Sequence, residues 1–382
     1  MFLQQFLYRS AGKLTLIAYC PQSSELRCWR HSTRLSELLD FSQRQLRRNL
    51  RSLVFRKQKQ LPRLPRKASL ALRLIASAIL LAYLLTRFPA DDLQERWPDW
   101  QRGSWVWLAA SLLATLSAFM LASLRWLQVC KTLGYSPAFS RVSSHFLAGQ
   151  FVGNFLPTTV GGDILRVTRM GAEIRDPSGA FASVIIERLT GWIVLPVITF
   201  VALVVRPDLV GSRAGTIALA GALATLAILV VLIFLAEHPN FGGRLSGENR
   251  LSAALAAVHQ GLKSYRSIPR GMTELLLIAV AFQFFLIVAV ICAANAIGIE
   301  ISLVVWFAFV PIVFVAQVLP IAIGGLGVRE AALVLFLSSF GVSSGQSVVL
   351  GLIVYAITLI ASLVGAVPYI LGSRQSDAGG KA

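Results

Sequence analysis

FVGNFLPTTVGGDILR (residues 151–166) and FVAQVLPIAIGGLGVR (residues 314–329) are two copies of one pattern, F-V-x-x-x-L-P-x-x-x-G-G-x-x-x-R. They align without a gap and carry an amide at the same place, Asn154 and Gln317. Chance identity is common in so apolar a chain, so the order of punctuation carries the weight: an apolar run, a proline, paired glycines, an arginine. Pro157 and Pro320 each remove a backbone donor, while Gly161, Gly162, Gly324, Gly325 and Gly327 permit tight turns. Each copy therefore predicts a broken helix, and each lies in the hydrophobic part of the chain. Broken helices in corresponding positions of two repeats point to a transport site near mid-membrane.

The surrounding composition agrees. Of 382 residues, 55 % are hydrophobic and 14 % charged, which excludes a soluble globule and predicts an all-α polytopic transmembrane helical bundle. A transmembrane β-barrel would alternate apolar and polar residues, whereas the apolar runs here are continuous. The net charge of +18 is uneven. Residues 1–67 hold fifteen Lys/Arg against Glu25, Glu37 and Asp40; the rest holds twenty-one against fifteen acids. Such a balance points to membrane topology and anionic lipid heads, not to a nucleic-acid partner. The four cysteines (Cys20, Cys28, Cys130, Cys292) show no metal or redox spacing, and no two of the four histidines stand at ligand spacing. No metal or cofactor is expected. His145 alone lies in a polar-flecked apolar stretch, where a satisfied core histidine is the plainer reading.

Three segments follow. Residues 1–67 read as a basic cytoplasmic tail, disordered or with 33–59 as an amphipathic surface helix; an upstream mis-assignment of the start is the alternative. Recovery of a peptide covering Cys20–Arg34 from the native protein would exclude that alternative. Residues 68–372 form the transmembrane domain, and 373–382 a flexible tail. Spans are predicted near 69–87, 104–123, 178–205, 213–236, 273–297, 301–319 and 346–371. Two shorter apolar pieces, 142–157 and 330–341, fall below the roughly 20 residues that cross a bilayer as a helix. They suit re-entrant or discontinuous segments, tolerated where protein or a cavity surrounds them. Basic residues concentrate in 1–67, 124–141, 158–177 and 237–272, which places those segments and the N-terminus in the cytoplasm. Residues 88–103 are acidic, are edged by tryptophans and belong outside. For 124–141 and 158–177 both to be inside, 142–157 must dip and return. The side of the C-terminus depends on whether 330–341 crosses or dips.

Charge at membrane depth is costly, about 2.5–3.5 kcal/mol for an Arg or Asp at a helix centre, so such residues face an interior or a partner. Glu187 and Arg188 lie within the span 178–205, Asp163 and Arg166 follow the first glycine pair, and Arg329 and Glu330 follow the second. Arg73 and Arg125 lie near span ends and can snorkel. The functional reading is that Arg166, Arg188 and Arg329 converge on an anionic head group, since guanidinium forks suit phosphate. Asp163, Glu187 and Glu330 would balance them in the empty site. The plainer reading is a set of structural ion pairs. Neither GGDILR nor GGLGVR is a nucleotide-binding phosphate loop, because no G-K-[ST] follows.

LRW (124–126), FVGNFLPTTVGGDILR, IIERLTGW (185–192) and LPIAIGGLGVREAAL (319–333) together resemble the transmembrane region of lysylphosphatidylglycerol synthases, part of a wider family of flippase-like bacterial and archaeal membrane proteins. The resemblance covers about 69–371. It implies a multi-pass protein of the cytoplasmic membrane that moves a lipid between leaflets. The matching positions are Pro157, Gly161, Gly162, Asp163 and Arg166, then Glu187 and Arg188, then Gly324, Gly325, Gly327, Arg329 and Glu330. No soluble synthase domain follows residue 371, so lysyl transfer is not expected of this chain. The expected partner is an anionic lipid or lipid-linked intermediate, with a lipid-modifying enzyme as a further partner. Two alternatives stay open: an enzyme transferring a group to a lipid head, with Glu187 or Asp163 as base, and a non-catalytic subunit of an envelope-lipid synthesis complex.

Overall fold

The computed structural model describes residues 5–10, 13–18, 103–155, 161–237, 269–318 and 325–371. The chain divides into two compact units, Met1–Arg63 and Leu64–Ala382. In the first, β1 (Gln5–Ser10) and β2 (Lys13–Ala18) pair antiparallel, with Gln5 opposite Ala18 and Ser10 opposite Lys13. The expected span at 69–87 lies outside the described residues.

The described part of the second unit is helical throughout. Its helices are α1 (Ser104–Thr132), α2 (Phe139–Phe155), α3 (Gly161–Glu173), α4 (Pro177–Val205), α5 (Arg213–Glu237), α6 (Pro269–Ala296), α7 (Leu303–Val318), α8 (Val328–Leu337) and α9 (Ser344–Ser362). Among the described residues five helices are long and apolar enough to cross a membrane: α1, α4, α5, α6, and α9 with the turns that extend it to Leu371. Large apolar side chains such as Val201, Val204, Leu223, Ile228 and Val230 point outward. A soluble fold would bury that belt; a lipid-facing one keeps it.

Two departures from the sequence reading concern length. The first span does not stop at 123. α1 continues to Thr132 because Trp126, Leu127, Val129 and Cys130 are buried and the charge of Arg125 is met by a carboxylate, so neither ends the helix. The segment 301–319 is not a full span: α7 has 16 residues, about 24 Å at 1.5 Å each, against a hydrocarbon thickness of roughly 30 Å.

The short helices form two hairpins. α2 and α3 run antiparallel: His145 meets Glu173 at 2.8 Å toward the open end, and Gly149 crosses Gly162 toward the tip. A Cβ on Gly162 would come within 2.3 Å of the Gly149 carbonyl, so the crossing needs glycine. α7 and α8 make the second hairpin. Near its tip Gly325, at φ +74°, packs on Gln317; toward its open end Phe309 stacks on Phe336 at 5.2 Å. The turns between, including Pro157, Pro320 and Gly324, lie outside the described residues.

The longer helices show which way each hairpin points. α1 and α4 are antiparallel, joined by Tyr135 and Asp176 where α1 ends and α4 begins. Asp176 caps α4, accepting from the Ser178 and Gly179 N–H groups at 3.0 Å, with Pro177 as first helical residue. The first hairpin opens at that end. Farther along α4, Thr199 donates to the Ala308 carbonyl on α7 at 3.0 Å, so the Phe309 end of the second hairpin lies by the other end of α4. The hairpins therefore enter from opposite sides. α9 starts beside the second and finishes beside the first, where Arg169 donates to the Pro368 and Tyr369 carbonyls at 3.0 Å. Segment 330–341 dips and does not cross.

Candidate functional site

The site grows from one carboxylate. Glu187 lies ten residues into α4, about 15 Å along the axis, and is 2 % exposed. Arg125 of α1 donates to its Oε1, and Arg166 of α3 donates to Oε2 at 3.1 Å. Arg166 also stands 3.5 Å from Asp163 one turn back, and Arg188 reaches Asp163 at 2.5 Å. Three helices thus deliver three arginines and two carboxylates to one spot. Arg125 and Arg166 are each 4 % exposed, whereas the Arg188 side chain is 42 % exposed.

Aromatic faces support this cluster. The Arg166 guanidinium lies 4.3 Å from the Trp126 ring and 4.8 Å from Phe146; Arg125 lies 4.6 Å from Phe282. Trp126 is held in turn, donating from Nε1 to Ser183 Oγ at 2.9 Å. Even so, the Arg125 Nε and Nη1, Arg166 Nε and Arg188 Nε atoms are buried with no hydrogen-bond partner among the described residues. The cluster holds one more positive than negative charge, plus four unsatisfied donors. That is an arrangement complementary to an anion.

A cavity of about 190 Å³ opens on the group, bounded by Arg125, Arg166, Glu187 and Arg188 together with Gln283 and Trp192. Beside it lies a second, of about 220 Å³, reached by Arg329. Gln150, Phe282, Leu286 and Phe314 line both, so the two spaces adjoin. The electrostatics of the second differ. Arg329 Nη2 donates to Glu330 Oε1 at 2.6 Å, and Glu330 Oε2 accepts the Gly327 N–H at 2.5 Å, so this pair is neutral and internally satisfied. Gly327, at φ +86°, turns the chain into α8 there.

The expected residues are therefore distributed as follows. Arg166, Arg188, Asp163 and Glu187 come together, with Gly161 and Gly162 opening the helix that carries Arg166. Arg329 lines the neighbouring cavity and pairs with Glu330 behind it, so the three arginines do not meet at one point. Asn154 and Gln317 both line that second cavity, Asn154 donating to Ser362 Oγ at 2.7 Å. Arg125, read as a snorkelling span-end residue, is instead buried in the cluster. Its signal was available: LRW carries an arginine beside apolar residues, with no water to snorkel toward once the helix continues to Thr132. Among the described residues no three His, Cys, Asp or Glu side chains group as a metal site.

Residues 70–365 match the family described as "Lysylphosphatidylglycerol synthase TM region", and the chain belongs to that family. It is also similar to a "UPF0104 membrane protein" of Methanothermobacter thermautotrophicus, 26 % identical over 301 residues, covering 71 % of this chain and 87 % of that protein.

Proposed function

We propose that this membrane protein translocates an anionic lipid or lipid-linked intermediate between the leaflets of the cytoplasmic membrane of a bacterium or archaeon. The observation that carries the reading is the excess guanidinium charge, with unsatisfied buried N–H donors, in a cavity beside Glu187, about 15 Å along the spanning helix α4. An unbalanced positive charge at that depth costs about 2.5–3.5 kcal/mol; a phosphate in the cavity offsets that cost and satisfies the donors. The two opposed hairpins support the movement. Each is packed against the long helices from one side, so the paired cavities can be closed from either side in turn, as inverted repeats do in transporters. The basic residues of 124–141 and 158–177 support a cytoplasmic position for the open end of the first hairpin, and with it for the end of α9.

Glu187 holds Arg125 and Arg166, and Asp163 holds Arg188. An arriving phosphate competes for these guanidinium groups, which keeps its binding weak enough to be reversed. Acyl chains stay in the surrounding lipid. A panel of tail-labelled fluorescent lipids in proteoliposomes tests the proposal: the protein accelerates bilayer crossing of anionic lipids, and Arg166→Ala with Arg329→Ala abolishes that acceleration. Unchanged rates in the double variant would remove the site assignment.

A further inference from the structure

The second cavity has a chemistry of its own, and with the first it specifies what hangs on the phosphate. Ser111, Thr115, Asn154, Gln317 and Thr358 line it, with Tyr355 under Arg329. The three aliphatic hydroxyls already donate their protons to backbone carbonyls, those of Ala289, Ser111 and Val354, at 2.6–2.9 Å. Their oxygens keep lone pairs for a ligand. Asn154 uses its Nδ2 on Ser362, leaving its carbonyl oxygen as an acceptor. Gln317 supplies the opposite need: its Nε2 is buried with no partner among the described residues. One wall thus offers several acceptors and another a free donor.

We infer that the substrate's head group is an uncharged, hydroxyl-rich moiety, a polyol or sugar, which occupies the Gln317 cavity while the phosphodiester that links it to the lipid sits among Arg125, Arg166 and Arg188. This rests on the proposed translocation of an anionic lipid. A hydroxyl both donates and accepts, so it satisfies both kinds of group at once. An ammonium only donates, and it would lie against Arg329, whose balancing carboxylate Glu330 does not line the cavity. A bare phosphate monoester would leave Gln317 and the hydroxyl oxygens without partners. The shared wall of Gln150, Phe282, Leu286 and Phe314 puts the two recognition regions side by side, as a head group attached to its phosphate requires.

The test compares four tail-labelled lipids crossing proteoliposome bilayers that contain the full chain: phosphatidylinositol, a polyprenyl phosphate hexose, lysyl-phosphatidylglycerol and phosphatidic acid. Phosphatidylinositol or the polyprenyl phosphate hexose should cross at least about tenfold faster than the other two, equivalent to about 1.4 kcal/mol. Which of the two is faster identifies the kind of lipid. In Gln317→Leu, and independently in Thr358→Val, the rate for the preferred lipid should fall about fivefold, the worth of one ordinary hydrogen bond, with phosphatidic acid unchanged. Equal rates for all four anchors, or faster crossing of the lysyl lipid, overturn the inference and leave anionic transport standing. So does equal slowing of every lipid by both variants, which marks a structural role. No acceleration of any of the four removes the transport reading itself, and this inference with it.

Discussion

Glu187 takes hydrogen bonds from two guanidinium groups on two other helices, which makes it the residue whose loss should be felt most. Glu187→Gln keeps the shape and removes the charge, leaving Arg125 and Arg166 buried without a carboxylate. Breaking a buried ion pair by removing one partner costs about 3–5 kcal/mol, so thermal unfolding in detergent should show a large drop in midpoint. Arg188→Ala should cost no more than about 1 kcal/mol in the same assay, because that side chain is far more exposed. Most of this cluster was legible residue by residue: charge inside an apolar run demands a partner. Arg125 was legible only as a charge within LRW, among apolar residues; which carboxylate meets it was not, since that partner lies 62 residues away on another helix.

Between helices, small contacts decide whether the hairpin forms and how α4 begins. A methyl group at residue 162 has nowhere to go except into the Gly149 carbonyl, which is backbone and cannot rotate away. Gly162→Ala should destabilise by about 1–3 kcal/mol through overpacking and loosen the α2–α3 hairpin, raising proteolysis there. Asp176 governs the α4 start. The Tyr135 hydroxyl and the Gly179 and Ser178 N–H groups hold its carboxyl below the usual range. A lowered folded-state value means the cap stabilises above the unfolded value, about 3.9, and is lost as pH falls through the lowered one. Asp176→Ala should therefore cost about 1 kcal/mol near neutrality, and its difference from the parent should begin to shrink below about pH 3.9 and be lost once pH passes the lowered value. Gly161 and Gly162 announced the start of α3, and Gly327 the turn into α8. They could not announce the Gly149–Gly162 crossing, since small residues are compatible with many packings.

Across the whole molecule the opposed entry of the two hairpins is the feature with most consequence. In a background without native cysteines, Ser136→Cys in the α1–α2 connection and Ser339→Cys after α8, both exposed, should react with an impermeant thiol reagent from opposite faces of the membrane, Ser136→Cys from the cytoplasmic one. Labelling of both from one face would overturn the arrangement. It also sets the end of α9, at Leu371, on the cytoplasmic side once the first hairpin is placed there. Residues 330–341 left that side open in the sequence, because ten to twelve apolar residues neither span nor forbid a span.

The amino-acid sequence by itself determined the membrane, the helices, the doubled break and the family, because apolar run length and the backbone limits of proline and glycine act locally. The dip of 142–157 followed from charge parity alone. Tertiary structure decided what is cooperative at a distance: that α7 is half a hairpin and not a span, that Arg125 joins Arg166 and Arg188 while Arg329 pairs next door with Glu330, and that the two cavities differ in charge. A guanidinium at membrane depth needs a carboxylate, and which carboxylate it finds depends on helix packing that no local pattern encodes.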